Sequence, residues 1–151
     1  HVTNECHGYD VGDEVLRLVA RTLVATAPSG ALVARVAGDR FSVVAEFESA
    51  AAAYALGARA AESIRGLELQ VRGDRVPVSA SVGVFFASPA VRPGEAQNRA
   101  QLACRVAKER GRGRAELYRA EDAGIARREE DLAVIGDVFR AVQHDEFLLM
   151  A

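Results

Sequence analysis

The pattern of apolar positions divides this chain into alternating helical and extended segments. "GDEVLRLVARTLVAT" (12–26) sets Val15, Val19 and Leu23 on one face at helical spacing, with Leu16 beside them, and Asp13 in place to cap the helix start. "APSG" then breaks the helix. "ALVARV" and "FSVVAEF" are short and rich in Val and Phe, and they flank a glycine-containing tip, which predicts a β-hairpin. "ESAAAAYALGARAAESIRG" reads as an Ala-rich helix stopped by Gly66. "LELQV-RGD-RVPVSASVGVFFA" predicts strand, turn and one long strand, with Val78, Ala80 and Val82 on a common face. The RGD triplet is read as a tight turn. After a loop with Pro89 and Pro93, "AQNRAQLACRVAKER" is a further helix stopped by Gly111, and "AELY" is a short closing strand.

From Arg119 the character changes. A charged start leads to Leu132, Ile135, Val138, Phe139 and Val142 at helical spacing, and "EFLLMA" closes the sequence like the first strand of a further domain. The expectation is a mixed α/β unit over 1–118, a connector helix over 119–145 and the start of another domain at 146–151.

With 151 residues and 50% hydrophobic content, the chain can build one domain with its own core plus an appendage. Charged residues make up 26% and the net charge is -2, so no bulk field draws it to nucleic acid or to an anionic membrane. The Arg-rich segment 105–114 is a local exception. Cys6 and Cys104 lack metal-ligand spacing and are too few for a disulfide framework, which points to plain thiols in a reducing, cytoplasmic setting. His7 and His144 are isolated and read as surface or packing residues. No apolar run approaches the roughly 18 residues needed to span a bilayer. The first residues read like the interior of a longer sequence.

The candidate chemistry sits at the hairpin tip, "RVAGDRF", where Asp39 stands beside Arg40. It is one of four ordered motifs that cover residues 1–118. "NECHGYDVGDEVL" resembles the first-helix motif N-D-x-x-G-H-x-x-G-D-x-x-L of GGDEF domains: Asn4, Gly8, Gly12, Asp13 and Leu16 match, with Glu5 for Asp and Tyr9 for His. "RVAGDRF" falls where that family has R-x-G-G-D-E-F, and "VPVSASVGV" is similar to its S-x-G-V strand. "AQLACRVAKERGRGRAELY" resembles its A-D-x-A-L-Y-x-A-K-x-x-G-R-N-R stretch. The resemblance implies a nucleotidyl-cyclase-like α/β fold: a central, mainly antiparallel mixed sheet flanked by helices. It also implies the family's activity, condensation of two GTP, one on each protomer of a homodimer, into cyclic di-GMP.

Residue by residue, the resemblance places Asn4 and Asp13 against guanine. An Asp carboxylate suits the N1 and N2 donors, and an amide serves both kinds of edge. It places Lys108 and Arg112 on the triphosphate, where basic side chains converge on phosphate oxygens. Each has an ordinary reading too: Asp13 as a helix cap, Asn4 as a solvated turn residue, and Lys108 and Arg112 as a solvated basic face. At the tip, Gly38, Asp39 and Phe41 keep the family pattern, and Asp39 matches a ligand of the magnesium that accompanies GTP. Ala37 replaces the first Gly and Arg40 replaces a Glu that active members need. A second metal-binding Asp belongs to a first strand that would precede His1. The family's product-inhibition motif R-x-x-D falls on "PSGA" (Pro28–Ala31), which has neither residue.

Exchanging Glu for Arg changes the local charge by two units. One unit pair at about 4 Å is worth roughly 4 kcal/mol at an effective dielectric near 20, and a divalent ion feels about twice that. A guanidinium also offers no oxygen to a hard cation. The expectation is a catalytically inactive GGDEF domain in which Arg40 sits where metal would be and holds phosphate directly. The 119–151 segment resembles the lead-in to an EAL domain, so the expected role is regulatory, toward an attached EAL phosphodiesterase or receptor. Two other readings stay open: a diguanylate cyclase that tolerates AGDRF, and a ligand-free dimerisation or spacer module.

Overall fold

The computed structural model describes residues 9–71 and 74–120. Asn4, Cys6, His7, His144, the connector helix and the 146–151 strand lie outside the described residues. The elements follow the order α1 (Tyr9–Thr26), β1 (Leu32–Ala37), β2 (Arg40–Val44), α2 (Ala50–Arg65), β3 (Glu68–Val71), β4 (Asp74–Pro77), β5 (Val82–Val84), α3 (Pro93–Glu109) and β6 (Ala115–Leu117). The mixed α/β class expected from the sequence is the observed one.

Helix α1 runs through Asp13 instead of starting there. Val11 packs on the core together with Val15 and Leu18, so the buried stripe already needs helical geometry before Asp13. The Asp13 carboxylate is exposed and lies 3.9 Å from Arg17 one turn on, an i,i+4 pair instead of a cap. Helix α2 behaves as its sequence predicts. The Ser49 hydroxyl accepts from the Ala52 amide at 3.2 Å, and the Gly66 amide donates to the Glu62 carbonyl at 3.0 Å. Its buried face is built from Ala53, Gly57, Ala60, Ala61 and Ile64. Small residues there let the neighbouring strand come close: a Cβ on Gly57 would stand 2.6 Å from Val84 Cγ2.

The long strand expected after the RGD turn is instead two short ones. Pro77 has no N–H to continue the ladder with β3, and pairing resumes only at Val82. The predicted face nevertheless survives the interruption: Val78 is buried, Ala80 packs on the core and Val82 faces α2. The expected central sheet is represented, among the described residues, by three two-stranded ladders. β1–β2 and β3–β4 are antiparallel, and β5–β6 is parallel, with Val82, Gly83 and Val84 opposite Ala115, Glu116 and Leu117. No described strand joins the free edges of β2 and β5. The core gathers Val19, Leu23, Ala60, Ile64, Val76 and Val78 between α1, α2 and the segment that starts in β4. Fully burying a side chain such as Ile64 stabilises by about 1.5–3 kcal/mol.

Helix α3 opens on Pro93, which brings a preset φ and lacks the amide a first helical turn would leave unpaired. It buries Ala103, Val106 and Ala107 and lies directly on β5. A Cβ on Gly83 would stand 1.9 Å from the Ala100 carbonyl oxygen and 2.3 Å from the Cys104 amide nitrogen. Only a residue without a side chain fits between strand and helix here. Gly83→Ala is therefore expected to destabilise the domain by roughly 3 kcal/mol or more, read as a lowered midpoint in urea unfolding. An unchanged midpoint would contradict this packing.

Candidate functional site

The hairpin holds its tip by local chemistry. Gly38 takes a φ of +49°, Ala37 pairs across to Arg40, and a bulge falls between Arg35 and Ala37. A glycine at the first position of a two-residue loop gives the backbone twist that matches a β-hairpin. The Arg35 guanidinium donates from Nε to the Gly38 carbonyl at 2.7 Å and braces the turn. Phe41, half-buried, packs back on the core. Asp39 and Arg40 are thus presented to solvent on an anchored support.

Asp13 meets the side of the same hairpin. It shares with Leu16 and Arg17 of α1, and with Arg35 and Phe41, an open cleft of about 340 Å³. Arg35 therefore has two places in the site, as brace of the tip and as wall of the cleft. Its place inside the tip motif "RVAGDRF" is the one mark of this role in the sequence.

The second support is the end of α3. The Gly111 amide donates to the Lys108 carbonyl at 3.4 Å and the Arg112 amide to the Ala107 carbonyl at 3.0 Å, with Gly111 at φ +110°. This is the Schellman closure of a helix, and it confirms Gly111 as the stop. The chain then stays left-handed through Arg112 (φ +59°) and Gly113 (φ +58°). Among the described residues Arg112 is the one non-glycine with positive φ, a conformation a bulky side chain adopts only at a cost of about 1–3 kcal/mol. Lys108 and Arg112 are both exposed.

Cys104 sits on α3 against the segment that leads into β5. Its thiol donates to the Ser81 carbonyl at 3.3 Å. Burial pushes the thiol above its usual range; Lys108 and the Gly83 backbone pull it down, and Asp39 pushes it up again. The charges of Lys108 and Asp39 are both felt at this sulfur, in opposite directions. The structure puts Asp13 in a cleft at the hairpin's side and sets Arg112 just past the helix end. No group of three or more His, Cys, Asp or Glu side chains that could hold a metal occurs among the described residues. The residue after Asp39 at the tip is Arg40, whose guanidinium offers no oxygen to a hard cation.

Comparison with known proteins places the chain. A family model described as "Diguanylate cyclase, GGDEF domain" matches residues 2–114. The chain belongs to the GGDEF family, and it is a GGDEF domain of the kind carried by cyclic di-GMP signalling proteins. It is 28% identical to the cyclic di-GMP phosphodiesterase PdeB of Shewanella oneidensis, over 97% of this chain and 17% of that protein. It is 27% identical to the bifunctional diguanylate cyclase/cyclic di-GMP phosphodiesterase MucR of Pseudomonas aeruginosa, over 97% of this chain and 21% of that one. The chain thus spans about a fifth or less of the length of these relatives. The solved GGDEF domain of TpbB (YfiN) from Pseudomonas aeruginosa superposes with a TM-score of 0.75 at 27% identity, covering 83% of this chain and 74% of that one. The GGDEF domain of DgcB from Caulobacter crescentus, solved with c-di-GMP, shares the fold at 23% identity and TM-score 0.71, covering 76% and 69%.

The state of Cys104 is directly measurable. With its thiol pushed up by burial, less thiolate is present at pH 8, and iodoacetamide should label the Cys104 peptide more slowly than a free cysteine. The rate should climb as pH rises beyond the ordinary thiol range, followed by mass spectrometry of the digested protein. Labelling as fast as free cysteine would contradict the burial of this sulfur beneath the site.

Proposed function

We propose that this GGDEF domain binds GTP without converting it, and that it acts as a regulatory module of a cyclic di-GMP signalling protein. The observation that carries the reading is the hairpin tip. A braced, exposed Asp39–Arg40 pair stands where active members need two carboxylates, while Asp13, Lys108 and Arg112 keep positions suited to guanine and phosphate. The left-handed backbone at Arg112 supports it, since local strain of this kind collects at ligand sites.

In this reading Asp13, together with Asn4, selects guanine through its N1 and N2 donors. Lys108 and Arg112 neutralise the triphosphate. Arg40 supplies at the tip the positive charge that magnesium supplies in an active cyclase, and binds phosphate oxygen directly. Magnesium would enter only with the nucleotide, held by Asp39 at most. The loss of one acid and the gain of one base remove the means to activate a 3'-hydroxyl, so the nucleotide is a signal and not a substrate. An EAL domain following the 119–145 segment is the proposed recipient, with a homodimer as the proposed assembly. The phosphodiesterase and bifunctional relatives favour this context. No described helix is long and apolar enough to cross a membrane, and the proposed location is the cytoplasm.

Calorimetric titration of GTP with and without magnesium tests the reading. We expect micromolar binding that changes little when EDTA replaces the metal. Arg40→Ala should weaken it by about tenfold or more, the scale of one charge-assisted hydrogen bond. Asp13→Ala should weaken GTP similarly and erase its advantage over ATP. Binding that strictly requires magnesium and survives Arg40→Ala would overturn the proposal.

A further inference from the structure

We infer that Arg65, at the far end of α2, is a positioning residue for the loop that presents Arg112. This inference rests on the proposed GTP site and names what sets its phosphate-facing arm.

The loop 110–114 is anchored at both ends by different means. Toward α3 it is held by the helix's own closing bonds, from Arg112 to Ala107 and from Gly111 to Lys108. Toward β6 it is held from outside. The Arg65 guanidinium donates from one terminal nitrogen to the Gly113 carbonyl, across 48 positions of sequence. Its other terminal nitrogen donates to Glu62, one turn back on α2, at 2.8 Å. That ion pair is largely exposed, at 53% and 72%, and by itself stabilises little. Its effect is geometric: it fixes the plane of the guanidinium so that the remaining edge meets Gly113. One residue on, the Arg114 carbonyl accepts from the Val82 amide at 2.9 Å and the chain enters β6.

Arg112 stands between these anchors in a left-handed conformation that an arginine does not hold unaided. Gly113 is buried, and a bond from a charged donor to its carbonyl is of the stronger kind. Removing that donor loosens the outer half of the loop and, with it, the closing bond that the Arg112 amide makes to Ala107, while the exposed bond from the Arg114 guanidinium to the Arg110 carbonyl at 3.1 Å remains across the loop. The Arg112 side chain then samples many directions, and phosphate binding must order it again. Arg65 touches no nucleotide in this account; it acts through Gly113.

The test compares the unaltered chain with Arg65→Met and Arg65→Lys by titration with GTP and with guanosine, and by NMR amide exchange at Arg112 and Val82. Arg65→Met should lower GTP affinity by about tenfold, leave guanosine affinity unchanged, and speed exchange at both amides while α1 stays protected. Arg65→Lys, which still offers a charged donor, should recover part of both effects. Equal losses for GTP and guanosine, or amide exchange unchanged in Arg65→Met, would overturn the positioning role. If the unaltered chain binds neither ligand, the proposed function fails, and the exchange at Arg112 and Val82 alone decides whether Arg65 holds the loop.

Discussion

The contact on which the candidate site depends is backbone against backbone. Gly83 in β5 lets α3 settle so close that a methyl group would overlap the Ala100 carbonyl and the Cys104 amide. That closeness presses the last turns of α3 against the parallel ladder of β5 and β6 and fixes where the helix ends. Cys104 then donates to Ser81, Lys108 stands one turn further on, and the Schellman closure hands the chain to Arg112. A side chain at position 83 would lift the helix off the strand and shift the basic end that follows Cys104.

Much of this was legible in the sequence, for identifiable reasons. Short Val-rich runs around a glycine tip encode a hairpin by local preference alone, and Ser49 and Gly66 bound α2 through hydrogen bonds made within a few residues. What resisted reading depends on distant partners. The period-2 alternation through Val78, Ala80 and Val82 is real, yet Pro77 and the switch of partner from β3 to β6 divide the strand. Asp13 looks like a cap because its type suits one, but Val11 draws the helix past it. Gly111 is legible as the helix stop, but the left-handed arginine that follows it is not, since a bond from Arg65 to Gly113 helps to hold that conformation. Arg65 has no local mark at all, since its role follows from a carbonyl 48 positions away.

The charge at the tip decides how the site behaves. Arg35 braces the turn and Phe41 roots it in the core, so Asp39 and Arg40 are presented by a support that does not need the nucleotide to form. In the proposed reading the Arg40 charge on this support would meet phosphate, and it would repel the divalent ion that cyclisation requires. In that reading, a module with this tip would hold what an active relative consumes, which is the property a sensor needs.

Incubating the concentrated chain with GTP and magnesium, and following the nucleotide by chromatography, is the most direct test of a tip that binds without turnover. GTP should be recovered intact with no cyclic di-GMP at any time point. Accumulation of cyclic di-GMP would contradict it, and would mean that Arg40 leaves the chemistry of the family in working order.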